Sequence, residues 1–303
     1  MRAAGSGWQR RSVASGMMDG YACHLLVSGA TVLLCLILTP AHAEGSAVPQ
    51  QSCEVLEPFE KQTFTLPDGK RMNCHQRSGN GPVLVLVPGT WGDIHRFAPL
   101  IAELPPGIPI VVIELCWQGG HVPPTLDLSI EQLADDVLWV IAALKLERFI
   151  VGGHSIGGMI AVEIAGRDAP GLLGAIPMEG WTHHTVVQTA FDGVVVGDLT
   201  PEQEVRRQAD RVRGREHLSP EQLSAIAGIW RCWNGYDCLS RSRVPILSVW
   251  GDRGKPRPDR EALQIPDRPS IEVKWVAGAS HLLVMEAPEV LAELVLAFVQ
   301  RNP

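Results

Sequence analysis

From about residue 60 onward, hydrophobic and polar positions fall into two alternating patterns. The first is the short continuous apolar run: "VLVLV" (Val83–Val87), "IPIVVIEL", "RFIVGG", "LLGAIPM", "VPILSVW" and "IEVKWV". Runs of this length, without polar alternation, predict strands buried on both faces of a parallel sheet. The second is helical spacing, seen around Phe97 to Leu104, in "SIEQLADDVLWVIAALKL" with Ser129 as N-cap, in "IGGMIAVEIAGRDA" and in "APEVLAELVLAFVQR". Two opening strands, "QTFTL" and "RMNCHQR", flank the turn "PDGK". The alternation predicts an α/β fold, a mostly parallel central sheet with helices on both faces. It breaks once, between Met178 and Val244, where "PEQEVRRQADRV" and "SPEQLSAIAGIWRCW" read as helices. A stretch this long is too extended for an ordinary loop, so a helical lid inserted after the sixth strand, at about 181–243, is expected.

The first 43 residues follow neither pattern. Arg2, Arg10 and Arg11 precede an apolar run from Leu25 to Leu38 and the small residues of "TPAHA". This order predicts a signal peptide over 1–43 and a secreted or periplasmic protein, with no stable membrane span in the mature chain; a membrane anchor is the other reading. Removing the segment takes three arginines and one aspartate and lowers the formal charge from −7 to −9. No block of Lys or Arg stands out, which argues against a nucleic-acid partner. Hydrophobic residues make up 46% of the 303-residue chain, enough for a large core and too many for a disordered one. An oxidising destination makes Cys232 and Cys238, on either side of "WNGYD", a candidate disulfide. Cys53 and Cys74 are a second candidate pair, which would leave Cys116 as the free thiol. A zinc site is the alternative use of these cysteines, but no Cys-x-x-Cys or clustered His supports it, and no motif implies a metal or an organic cofactor.

The chemistry-bearing motif is "GGHSIGG". Gly153-His154-Ser155-Ile156-Gly157 places Ser155 between an apolar run and a helix. A nucleophilic serine needs a sharp strand-to-helix turn, glycines two positions before and after to let the chain pack around it, and a helix N-terminus behind it to favour developing negative charge. With "LVPGTWG" before it and "GASHLLVMEAPE" after it, the chain resembles the α/β-hydrolase fold family over roughly residues 60 to 301. The resemblance implies a hydrolase domain over 44–303. It also implies an oxyanion hole from the backbone N–H groups of Thr90 and Ile156, with Pro88 where the family often has His, and His281 as general base. His154, beside the nucleophile, reads as structural, and His183 and His184 as lid residues or pocket lining.

The family usually draws its acid from the seventh strand, in a phrase like Gly-x-x-Asp. In "WGDRG" that slot falls on Gly254, and Asp252 stands two residues early. Glu179, at the end of the sixth strand in "AIPMEGW", opens onto the same edge of the sheet and is the preferred acid, as in some lactone hydrolases of this fold. Asp252 is the alternative, with Asp259 behind it. A serine nucleophile forms an acyl-enzyme, so the expected substrate is a small hydrophobic carboxylic ester or lactone. Carbon–carbon bond hydrolysis, or a receptor-like module with a vestigial triad, are the other readings. Trp91, Trp181, Trp230 and Trp233 are expected to line the substrate pocket, Trp117 and His121 to stand near its rim, and Trp139 and Trp250 to lie in the core.

Overall fold

The computed structural model of the chain describes residue 56 and residues 58–303. The expected signal segment and Cys53 lie outside the described residues. Eight strands form one sheet: β1 (Glu60–Thr65), β2 (Arg71–Arg77), β3 (Val83–Val87), β4 (Ile110–Ile113), β5 (Phe149–His154), β6 (Leu172–Met178), β7 (Ile246–Gly251) and β8 (Ile271–Val276). Their spatial order is β1-β2-β4-β3-β5-β6-β7-β8. β1 and β2 form an antiparallel pair, β2 runs antiparallel to β4, and all the remaining neighbours are parallel.

Period-two geometry explains why the inner strands, β3 to β7, are largely apolar, whereas β1, β2 and β8 carry charged residues. In β3, Leu84 and Leu86 face one layer of core while Val85 and Val87 face the other. The first layer is closed by α1 (Ala98–Glu103) and the C-terminal helix α8 (Pro288–Arg301), through Leu100, Ile101, Leu291, Val295 and Phe298. The second is closed by α2 (Ile130–Ala143) and α3 (Ile156–Ala165), through Leu133, Val137, Ile160 and Ile164. Both faces must be dry, so neither can alternate with polar residues. Ser129 caps α2 as its sequence predicts, with Gln132 completing a reciprocal capping box. Trp139, expected in the core, is instead on the outer side of α2 and partly exposed, its ring edge-on to Phe64. Trp250 is fully buried.

Between β6 and β7 the chain forms α4 (Val186–Phe191), α5 (Pro201–Arg213), α6 (Pro220–Gly228), a 3₁₀ turn (Ile229–Cys232) and α7 (Tyr236–Arg241). Two of these starts repeat one local device. "TPEQ" and "SPEQ" put a hydroxyl at the N-cap, Pro at the first helical position and Gln at the third, and both boxes close. Both ends of the insertion touch α3. Gly180 packs so closely on Gly158 that neither has room for a side chain. On the return, Trp233 Nε1 and Cys238 Sγ each lie 3.0 Å from Glu163 Oε2, to which they donate.

That second contact overturns two expectations. Cys232 and Cys238 are both free. Cys232 ends the 3₁₀ turn and faces solvent, whereas Cys238 is buried against α3. The two thiols therefore lie in different environments and are not bonded to each other. Burial, and then the adjacent Glu163 carboxylate, push the Cys238 thiol up to about 12. Trp233 is an anchor in the core and not a pocket wall, because its indole N–H is committed to Glu163. Cys74 and Cys116 are also buried free thiols. Among the described residues no helix is long and apolar enough to cross a membrane.

Alkylation of native protein with iodoacetamide, followed by peptide mapping, is expected to modify Cys232 rapidly and to spare Cys74, Cys116 and Cys238 until denaturant is added. A non-reduced Cys232–Cys238 peptide pair would contradict this arrangement.

Candidate active site

The carboxyl ends of β3, β5, β6, β7 and β8 all open on one edge of the sheet, as a parallel arrangement requires. Ser155 sits between β5 and α3 with φ +57° and ψ −120°, a backbone conformation that non-glycine residues rarely hold. The turn is fixed from both sides: Ser155 N donates to Met178 O at 3.0 Å, and Met159 N donates to Ser155 O at 3.0 Å. A Cβ on Gly157 would overlap the Val87 carbonyl, and one on Gly153 would overlap the peptide of Gly157. Gly157 is therefore demanded by packing of the turn against the end of β3, and Gly153 by packing of the turn against itself. The Ile156 N–H belongs to the first turn of α3, whose amides have no partner within the helix.

The loop after β3 is held from beneath. Trp117 Nε1 donates to Thr90 O at 2.8 Å, and Gln118 Nε2 donates to Gly89 O at 2.7 Å. Trp117, expected near the rim, is thus fully buried support for the Thr90 segment. His121 points away to Asn73 Oδ1 at 3.0 Å.

His281 follows β8, and its Nδ1 lies 3.2 Å from Glu179 Oε2. Its backbone is fixed at both polar groups. His281 N donates to Val195 O at 3.0 Å, and His154 Nε2 donates to His281 O at 2.6 Å. Burial, and then the neighbouring His281 and Arg96, hold His154 well below the ordinary histidine range. It is a neutral clamp between the serine turn and the His281 loop. His183 and His184 stack on each other, and His183 bonds to Thr185; neither lines the cavity at Ser155.

Glu179 is 0% exposed and accepts five hydrogen bonds. Oε1 receives Gly251 N at 2.9 Å and Arg253 Nη1 at 2.7 Å. Oε2 receives Arg253 Nη2 at 2.7 Å, Trp181 Nε1 at 3.3 Å and His281 Nδ1 at 3.2 Å. Burial alone would raise this carboxyl, but the Arg253 and His281 donors outweigh it and hold it at about 2. Asp252 meets other partners: Oδ1 accepts from Gly254 N at 3.0 Å and Gly278 N at 2.7 Å, and Oδ2 is 3.4 Å from Arg257 Nε. Asp259 accepts from Ala262 N at 2.8 Å. Of the three carboxylates read from the sequence, Glu179 is the one that reaches His281.

Arg253 was not anticipated. Its side chain is 2% exposed, bidentate to Glu179 and stacked over the Phe191 ring, 3.7 Å from the centroid. The available signal was its place between Asp252 and Gly254, inside the loop where an acid is usual.

Ser155, Thr90, Ile156 and His281 line one cavity of about 250 Å³. Trp91, Trp181 and Trp230 are among its walls, with the Trp181 and Trp230 rings edge-to-face at 5.5 Å. The polar lining includes three further residues not read from the sequence, Arg96, Arg207 and Arg211. For two of them a signal existed: Arg207 and Arg211 stand four residues apart in a helical stretch, which puts their guanidinium groups on one helix face. Among the described residues no group of three or more His, Cys, Asp or Glu is placed to hold a metal ion.

A model of the alpha/beta hydrolase family matches residues 84–294. A candidate esterase/lipase of Haemophilus influenzae is 29% identical over 251 residues, covering 74% of this chain and 85% of the relative. A candidate carbamate hydrolase of Rhizobium rhizogenes is 38% identical over 96 residues, 31% of this chain, and the match spans only 36% of that relative's length. Among solved structures, the enol-lactonase of Burkholderia xenovorans superposes with a TM-score of 0.63 at 18% identity, over 79% of this chain and 100% of the other.

The depressed Glu179 carboxyl fixes the sign of a pH effect. Its folded value lies below the ordinary 4.5, so its contribution to stability is present above that value and is lost as pH falls toward about 2. Glu179→Gln is expected to cost about 3–5 kcal/mol at pH 6, the usual range when one partner of a buried ion pair is removed. Urea unfolding should show this deficit narrowing between pH 5 and pH 3; a deficit independent of pH would mean that the carboxylate is not ionised in the native state.

Proposed function

Since the chain belongs to the alpha/beta hydrolase family, we propose that it is a serine hydrolase that opens a carboxylic ester or lactone through an acyl-enzyme. The observation that carries this reading is the convergence on one cavity of a serine on a strained strand-to-helix turn and a histidine bonded to a buried, ionised glutamate. The esterase/lipase relative and the enol-lactonase fold are consistent with that substrate class.

In this mechanism Ser155 Oγ attacks the substrate carbonyl while His281 Nε2 takes the hydroxyl proton. Glu179 holds the ring with its proton on Nδ1 and offsets the positive charge that develops on it. The Thr90 and Ile156 N–H groups receive the oxyanion, a contribution of typically 10²–10³ in rate for each donor. Collapse expels the alcohol, which takes the proton from His281. Water then attacks the acyl-serine with His281 again as base, releasing the acid and restoring the serine. In a lactone the alcohol stays tethered, and the product is one hydroxy acid. The insertion acts as a lid that keeps bulk water from the acyl-enzyme. Export is part of the proposal and rests on residues 1–43 alone, now that the Cys232–Cys238 bridge no longer supports it.

Ser155→Ala should abolish turnover of every ester and lactone that the parent cleaves, in a screen of p-nitrophenyl esters of increasing chain length run beside lactones. Glu179→Gln should lower kcat by roughly 10⁴, the scale of the acid-to-amide change in a serine protease triad. Asp252→Asn, whose side chain serves backbone amides, should retain kcat within a few-fold. A severe loss in Asp252→Asn with near-normal turnover in Glu179→Gln would falsify the assignment of the acid.

A further inference from the structure

We propose that the substrate carries a carboxylate, and that the cavity binds it through Arg96 and Arg211. This rests on the reading of the cavity as the active site of an ester hydrolase, and narrows the substrate to an anionic ester or lactone.

The first observation is an unmet guanidinium. Arg96 lies in the 3₁₀ turn after β3 (Ile94–Phe97), lines the cavity, and has a side chain only 7% exposed. Among the described residues its ionic partner is Asp210, with Nη2 3.1 Å from Oδ2, while the buried Nε and Nη1 have no hydrogen-bond partner. Leaving such donors buried and unmet is costly, and guanidinium is matched best by a planar carboxylate. Asp210 does not offset Arg96 alone, because its Oδ1 also accepts from Arg213 Nη2 at 2.6 Å.

The second observation is a local charge excess. Arg211 lines the same cavity, half-buried, and among the described residues no carboxylate comes within ion-pairing distance of it. Burial, and then the positive charges of Arg207 and Arg215, push its guanidinium below the ordinary range. Arg207 is different, since its Nε and Nη2 both donate to Glu204, at 2.7 and 2.6 Å. Arg215 is spread over the Trp91 ring, 5.1 Å from the centroid. At this one wall, among the described residues, Arg96, Arg207, Arg211, Arg213 and Arg215 are met by Asp93, Glu204 and Asp210. The chain as a whole carries −7, so this is a focused positive field in an acidic protein, which draws anions toward the cleft.

The tryptophans bound the rest of the molecule. Trp91, Trp181 and Trp230 suit an apolar body, and the arginines suit an anionic end. The cavity of about 250 Å³ lies below the range of about 300–1,000 Å³ usual for drug-sized ligands, so the substrate is small.

The test uses matched pairs followed by pH-stat. Monomethyl succinate against methyl pentanoate places the charge on the acyl part, and O-butyrylglycolate against propyl butyrate places it on the alcohol part. In at least one pair the anionic ester is expected to have the higher kcat/KM, by roughly ten- to a hundredfold, the scale of a hydrogen bond to a charged group. Arg211→Gln and Arg96→Gln should bring that ratio down toward one. A neutral preference in both pairs, or an anionic preference that survives in Arg211→Gln, would overturn the proposal. Should Arg96→Gln fail to fold, Arg211→Gln on the half-buried helix face decides. Should the wild type turn over neither pair, and Ser155 resist a fluorophosphonate, the hydrolase reading has failed. Titration calorimetry of succinate into Ser155→Ala then tests the anion site by itself. Binding that weakens at least about tenfold when Arg211→Gln is added sustains it, and absence of binding refutes it.

Discussion

Glu179 and Arg253 lie side by side with almost no access to water, and the geometry of the cleft depends on that pair. Two buried charges are tolerated only where each is paired and the remaining hydrogen-bond capacity is filled. Both conditions are met. The carboxylate receives five donors from the chain segments after β6, β7 and β8, and the guanidinium is closed off by the Phe191 ring, the Gly251 carbonyl and Val194 O. One consequence is mechanical: the ends of β6, β7 and β8 are joined through a single side chain. Another is electrostatic. A carboxylate already facing a fixed cation offers a developing imidazolium less net attraction than an isolated one would, but its position and charge are secured over the whole neutral range.

The distribution of what was legible in the sequence follows from how far each feature reaches. The buried strands were readable because a sheet covered on both faces imposes its own composition, and Ser155 because its turn cannot be built without Gly153 and Gly157. Glu179 was readable by a negative argument: the usual acid slot held Gly254. Arg253 was not read, since its role depends on a partner 74 residues away and its place in the usual acid loop does not by itself separate it from a solvated arginine. The Cys232–Cys238 bridge was inferred from spacing, and spacing says nothing about direction; one thiol turns outward and the other reaches for Glu163. Trp233 misled for the same reason. Its neighbour in the same insertion, Trp230, does face the cavity, and three residues on a helix-like path are enough to separate wall from anchor.

The arginines change the picture that the tryptophans alone would draw. Indoles in a cleft suggest a greasy substrate, and composition offers no counter-signal because the chain is acidic overall. Only the three-dimensional placement shows that positive charge is concentrated on the wall formed by the turn after β3 and by α5, with too few carboxylates to balance it.

The attachments of the insertion amount to a hinge and a latch made of different forces. Its two ends meet α3 five residues apart, Gly180 on Gly158 and the Trp233–Cys238 pair on Glu163, a span of about 7.5 Å along one helix axis. That helix begins at Ser155, and between the two attachments the insertion is also tied to the rest of the chain by His281 N to Val195 O and by His217 to Trp117 O. The opposite edge is fastened by Asp93 to Arg213 and by Asp210 to Arg96. Packing and buried hydrogen bonds hold the hinge and are indifferent to dissolved ions, whereas charge holds the latch. Ionic strength would therefore reach the Asp93–Arg213 pair first, where Arg213 is partly exposed, and act least on the buried Arg96–Asp210 pair.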